Sequence, residues 1–181
     1  ATFMEMLATD AFRPEWERWT SFGLSRTAAF DVDALKTTRP IEFPVISPED
    51  AEGMFDILTY EKGAAVVRML EQYLGADEFR DGIRLYLSTH AYGNTETTDL
   101  WDALEQSTGE PVRRIMDSWI FQGGFPVIDV DLVDEGSTLR FTQQRFGYAG
   151  DIGEDDPTTD AEQADEQWVV PLIFSSATDD I

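Results

Sequence analysis

The sequence predicts an α+β fold, a mostly helical first two thirds followed by a short antiparallel β segment. Two observations carry this. Apolar residues recur at helical spacing from Phe3 to about Gln122, in stretches separated by short breaks marked by Gly or Pro. After Gln122-Gly123-Gly124 the period changes to alternation. At 181 residues, with 42% hydrophobic and 12% aromatic side chains, the chain can bury a sizeable core.

Taken in order, Phe3, Met6, Leu7 and Phe12 form a first helical stripe that stops near Arg13-Pro14. Trp16, Trp19, Phe22 and Leu24 give a second apolar face. Residues 31–48 hold Pro40, Pro44 and Pro48 and read as an extended connector. Ser47-Pro48-Glu49-Asp50 is a helix start, with a Ser cap, Pro at the first position and acids in the first turn. The helix after Tyr60 places Val66, Met69, Leu70, Tyr73 and Leu74 on one side, and Gly75 ends it. A further helix over about 77–89 turns Phe79, Ile83, Tyr86 and Leu87 inward, and another over about 99–107 is stopped by Gly109. Pro111 opens a last helix carrying Ile115, Met116, Trp119 and Ile120.

Val127–Val133 alternates as a half-buried strand, Asp134–Ser137 is turn chemistry, and Leu139–Gln143 pairs back. A long acidic loop from about Gly147 to Glu166 leads to Trp168–Phe174, which reads as a third strand. Two divisions follow: 1–123, helical, and 124–181, the β segment.

Most familiar chemistries are excluded by residue type. The single His, His90, sits at a helix end, and this suits a structural or capping role. One His allows neither an HExxH zinc motif nor a Ser-His-Asp triad with a GxSxG elbow. The run Asp151–Asp156 lacks the spacing of an EF-hand loop, and Gly123-Gly124 lacks the Lys and spacing of a phosphate loop. The candidate that remains is Tyr60, in Thr59-Tyr60-Glu61-Lys62-Gly63 at the mouth of an amphipathic helix. The residues leave two readings of it open. One is a boundary aromatic whose hydroxyl finds a backbone partner. The other is a fixed neutral donor aimed at a developing oxyanion, since a phenol keeps its proton at neutral pH.

Five blocks, in order, resemble the zinc aminopeptidases of the aminopeptidase N family. Ala1-Thr2-Phe3-Met4-Glu5 is similar to the residues just after the third zinc ligand, and Thr38-Arg39-Pro40-Ile41 to a connector. Phe55–Leu70 resembles the segment that carries the catalytic tyrosine. Tyr92-Gly93-Asn94 with Asp99-Leu100-Trp101, and Trp119-Ile120-Phe121-Gln122 with Gly124-Phe125-Pro126, resemble two further signatures.

The resemblance implies that residues 1–123 are the helical later half of a thermolysin-like catalytic domain. Residues 124–181 would be the first strands of a β-sandwich. It implies a parent enzyme that uses zinc to hydrolyse N-terminal residues from peptides with a free N-terminus. Tyr60 would be its oxyanion donor, and the zinc ligands and the grip on the substrate's amino group would lie before Ala1. Glu61, Lys62 and Gly63 would be supports, respectively a helix-start acid, a surface base and a site of close helix packing, while Asp56 would orient the turn. The chain itself is expected to bind no zinc and to hydrolyse nothing. The alternatives are a non-catalytic α+β interaction module and a degenerate peptidase. A chain cut from a longer one should also leave Phe3 and Met6 unusually accessible, or covered by a second copy.

The sequence contains no Cys, which fits a reducing compartment, and no basic and apolar leader, so a cytoplasmic protein is expected. No eighteen-residue apolar run encodes a membrane span. Nothing in the residues sets an oligomeric state. Thirty-six Asp and Glu face 13 Lys and Arg, a net charge of -23, so nucleic acid and anionic lipid are repelled. Only Lys36 and Lys62 are lysines. This pattern suits a protein adapted to high salt, where screening relieves self-repulsion. The thermal midpoint should therefore climb as KCl is raised from millimolar to molar, and a flat or falling midpoint would remove the halophilic reading.

Overall fold

The computed structural model describes residues 1–134, 137–148 and 167–174. The first helix, α1 (Thr2–Phe12), ends where Pro14 forbids continuation. A 3-10 turn, Pro14–Trp16, leads to α2 (Arg18–Asp33) through Glu17 in the left-handed region at φ 47°. Ser47 caps α3 (Pro48–Gly53) in a capping box with Asp50. The backbone amides of Ser47 and Ile46 donate to Asp50 and hold its carboxyl below the usual carboxylate range. A π-helical turn, Leu58–Lys62, runs directly into α4 (Gly63–Leu74). Gly75 (φ 86°) ends α4, and Gly109 (φ 74°) ends the helix Thr97–Thr108, in conformations that side chains disfavour. Between them lie α5 (Ala76–Thr89) and α6 (Thr97–Thr108), and α7 (Val112–Ile120) follows. Strands β1 (Pro126–Val133) and β2 (Thr138–Arg145) pair antiparallel, Pro126 opposite Arg145 and Val133 opposite Thr138. Among the described residues, no helix is long and apolar enough to cross a membrane.

The chain forms two compact units. One comprises Ala1–Ala64 with Ser118–Trp168. Phe3, Met6, Phe22, Ala29, Ile41, Leu58 and Ile120 are buried in it. Phe3 lies 5.7 Å from the Trp19 ring, and Phe22 meets Trp19 edge-on at 5.9 Å. Burial of Phe3 and Met6 overturns the expectation of an accessible N-terminal stripe, because α2 covers α1. A chain of rings holds the hairpin to α2: Phe30 to Phe125 at 4.7 Å, Phe125 stacked on Phe146 at 5.1 Å, then Tyr148 at 5.5 Å. The Tyr148 hydroxyl closes this series by donating to Asp31 Oδ1 at 3.0 Å.

The other unit comprises Ala65–Asp117 and residues after Trp168. Its helices bury Val66, Leu70, Phe79, Trp101, Leu104, Val112 and Met116. Gly82 of α5 lies so close to α6 that a Cβ there would stand 2.5 Å from Leu104 Cδ2 and 3.2 Å from Leu104 Cα.

Some expected details change. Asp33 is still helical, so the connector begins at Ala34 rather than at residue 31. Leu24 (78% exposed), Trp16 and Leu87 face solvent instead of the core. Trp168–Phe174 is not a third strand. The Trp168 amide donates to Gln143 Oε1 at 2.8 Å, and its carbonyl accepts from Gln143 Nε2 at 3.0 Å. One side-chain amide thus takes the place of a ladder, and Pro171 has no N–H to extend one. The Trp168 side chain is buried, 6.3 Å from the Trp119 ring. The run Asp151–Asp156 and most of the acidic loop lie outside the described residues.

Gly82→Val should destabilise the chain by about 1–3 kcal/mol through overpacking against Leu104, outweighing any gain in helix propensity. A urea midpoint equal to or above that of the unsubstituted chain would contradict the close approach of α5 and α6.

Candidate functional site

Tyr60 sits at the middle of the π-helical turn, and the geometry around it starts from Asp56. Asp56 Oδ1 accepts from the amides of Leu58 (2.9 Å) and Thr59 (3.0 Å), while the Asp56 carbonyl accepts from the Tyr60 amide at 3.1 Å. The Gly63 N–H then reaches back to the carbonyls of Leu58 and Tyr60, which widens the turn by one residue. Within it Leu58 and Lys62 are buried, whereas Tyr60 is 42% exposed. The phenol is therefore on the outer side of the turn. Among the described residues its hydroxyl has no hydrogen-bond partner, and the Phe55 ring lies 6.4 Å away. Among the described residues, no backbone group holds the hydroxyl in the way the boundary-aromatic reading expects.

Three ties fasten this turn. Arg39 pairs with Asp56 Oδ1 at 2.6 Å and donates to Thr59 Oγ1, the Gly53 carbonyl and the Pro40 carbonyl, its guanidinium lying over the Phe43 ring. Glu61 Oε2 accepts from Ser25 Oγ of α2 at 3.1 Å. Lys62 is the third, and it corrects the expectation of a surface base. Its ammonium is buried, 2.8 Å from Asp33 Oδ2, and donates to the Gly124 carbonyl at 2.9 Å. The other oxygen, Asp33 Oδ1, accepts from Thr38 Oγ1 and from the Gly124 amide, both at 2.8 Å. Two charges buried together are tolerated because each is hydrogen-bonded as well as paired.

Glycine is required where the connector and the Gly123-Gly124 turn meet. A Cβ on Gly123 would stand 2.8 Å from Thr38 Cγ2, and Gly124 adopts φ 82° beneath the Arg145 guanidinium. Gly63, by contrast, would meet Ile41 and Leu58 only at 4.0 Å, so close packing does not explain it. Asp56 orients the turn, as expected, and Glu61 is a long-range tie rather than only a helix-start acid.

Asp33, Thr38 and Arg39 had no assigned role in the sequence. A signal for the ion pair was present: Leu58, Lys62, Val66 and Leu70 are four apart and all buried, so Lys62 occupies a place in an apolar stripe. Asp33 likewise follows Phe22 and Ala29 on the inner face of α2.

His90 caps α5 through its backbone amide, which donates to the Tyr86 carbonyl, and its ring lies 5.5 Å from that of Tyr86. Among the described residues no group of three or more His, Asp or Glu side chains could hold a metal ion.

Residues 1–119 match the Peptidase family M1 domain. The chain belongs to peptidase family M1. This M1 chain is 41% identical over 175 residues to tricorn protease-interacting factor F2 of Thermoplasma volcanium, covering 96% of the chain and 21% of that protein. It is 41% identical over 174 residues to aminopeptidase M1-A of Oryza sativa subsp. japonica, covering 96% of the chain and 18% of the relative. It is 43% identical over 151 residues to probable aminopeptidase 2 of Sulfurisphaera tokodaii, covering 83% and 19% respectively. The M1 chain thus spans about a fifth of the length of the curated relatives it matches. The family implies zinc in the parent enzymes; among the described residues, with His90 the single His of the sequence, no donor set fits a zinc site.

Asp56→Ala should cost about 1–2 kcal/mol, because two turn amides and Arg39 lose their acceptor. Asp56→Asn, which keeps an acceptor oxygen, should recover much of that loss in denaturant titrations. Equal losses in the two variants would mean that the cap does not hold the turn.

Proposed function

We propose that this chain contributes the oxyanion-stabilising phenol of a zinc aminopeptidase that hydrolyses N-terminal residues from peptides. One observation carries the reading: in an M1 chain, Tyr60 stands half-exposed on the outer side of a turn held from within by Asp56, Glu61 and Lys62. A rigid donor of this kind stabilises charge as it develops on a peptide carbonyl oxygen, without reorganising at the moment of reaction. The substrate's free N-terminus and the metal would be held by residues outside this sequence, and the chain alone would turn over nothing.

Tyr60→Phe in the longer polypeptide should lower kcat by about 10²–10³-fold, equivalent to about 3–4 kcal/mol of transition-state stabilisation, with KM little changed. A Phe variant that keeps the full rate would end the assignment. The chain by itself should neither retain stoichiometric zinc nor cleave a fluorogenic aminoacyl substrate. Either result to the contrary, above all turnover abolished by Tyr60→Phe, would place a complete site within these residues.

A further inference from the structure

We infer that Lys62, through its buried ion pair with Asp33, is a positioning residue that fixes where the Tyr60 phenol points. This deepens the proposed function and rests on it only for the catalytic consequence; the placement itself stands on geometry. Leu58 and Lys62 mark the inner face of the π-helical turn, and Tyr60, midway between them, lies on the outer face. Leu58 is apolar, and apolar contact does not prevent a turn from rotating about its axis. Arg39 on Thr59 and Ser25 on Glu61 restrain it through part-buried bonds, and Lys62 adds the buried restraint, its ammonium held at 2.8 Å by Asp33 Oδ2 and at 2.9 Å by the Gly124 carbonyl. Neither acceptor is loose. Asp33 is fixed by bonds from Thr38 Oγ1 and the Gly124 amide, so Gly124 donates to one member of the pair and accepts from the other. The directional bonds run from the end of α2 to the Gly123-Gly124 turn, with the Tyr60 turn clamped to both.

A buried pair is poor at raising stability, since its desolvation cost offsets its attraction, but it discriminates sharply between arrangements. A hydrophobic residue at position 62 would fill the same space with no preferred azimuth. The pair therefore sets direction, which is what a donor to an oxyanion requires, because misplacement by about 1 Å costs of the order of a hundredfold in rate.

The test separates placement from folding. The chain is labelled with 3-fluorotyrosine, and the Tyr60 fluorine resonance is assigned by its disappearance in Tyr60→Phe. Lys62→Met leaves Asp33 unpaired and risks unfolding. Asp33→Asn/Lys62→Met removes both charges and keeps an oxygen to accept from Thr38 and Gly124. The double variant should melt within a few degrees of the unsubstituted chain and leave the other four tyrosine signals in place, while the Tyr60 signal moves or broadens. A folded double variant with an unchanged Tyr60 signal would overturn the proposal.

In the longer polypeptide, the double variant should lower kcat about ten- to a hundredfold with little change in KM. It should lower nothing further in a Tyr60→Phe background, because it acts through that phenol. Equal losses in both backgrounds would reduce the pair to ordinary structure. If Tyr60→Phe alone were harmless, the oxyanion reading would fail, and the fluorine signal would still decide whether the pair sets the phenol's direction.

Discussion

A lysine ammonium and an aspartate carboxylate, both removed from water, hold together three segments far apart in sequence. Asp33 ends α2, Lys62 ends the turn before α4, and Gly124 lies just before β1, and each bond among them is 2.8 or 2.9 Å. Charges taken out of water must be satisfied nearly completely or they unfold what surrounds them. That requirement explains the neighbouring residues. Thr38 supplies a hydroxyl to the same carboxylate, and Gly123 and Gly124 have no Cβ because the connector and Arg145 pass too close.

The outer face of the turn is free because the inner face is so fully committed. Asp56, Arg39 and Ser25 meet its polar groups, leaving the Tyr60 hydroxyl with no hydrogen-bond partner among the described residues. A π-helical turn has a longer circumference than an α-helical one and stands in place of the first turn of α4. Local irregularity of this kind persists where surrounding contacts over-determine it. Here those contacts come from α2, the connector and the Gly123-Gly124 turn.

Helix ends were legible because their signals are local backbone chemistry. Ser47 with Pro48, Gly75, and Gly109 mark boundaries whatever the rest of the chain does, and each lies where the sequence puts it. Facing was less legible. Leu24 and Leu87 match helical spacing yet point outward, since periodicity does not say which neighbours will cover a stripe. The third strand failed for a related reason: the apolar, partly β-branched run Trp168–Phe174 describes an extended segment, but pairing also needs N–H groups to offer, and Pro171 has none. At the site, the position of Tyr60 and its family likeness single it out as the candidate. Lys62 was misread because lysine is so commonly exposed, although its place between Leu58 and Val66 already contradicted that.

The way Gln143 holds the segment after the acidic loop has its own consequence. A primary amide offers the same donor and acceptor as a peptide unit, and it binds Trp168 only through the backbone. Such a grip is blind to sequence; it would clasp any residue that presented its N–H and C=O at that point. Gln122 Nε2 adds a second grip of the same kind on the Gln167 carbonyl at 2.9 Å, whereas the indole, buried beside Trp119, is a contact that depends on which side chain stands at position 168. Loss of the indole would leave the strap fastened but free to slip along its own length, an error of address rather than of attachment.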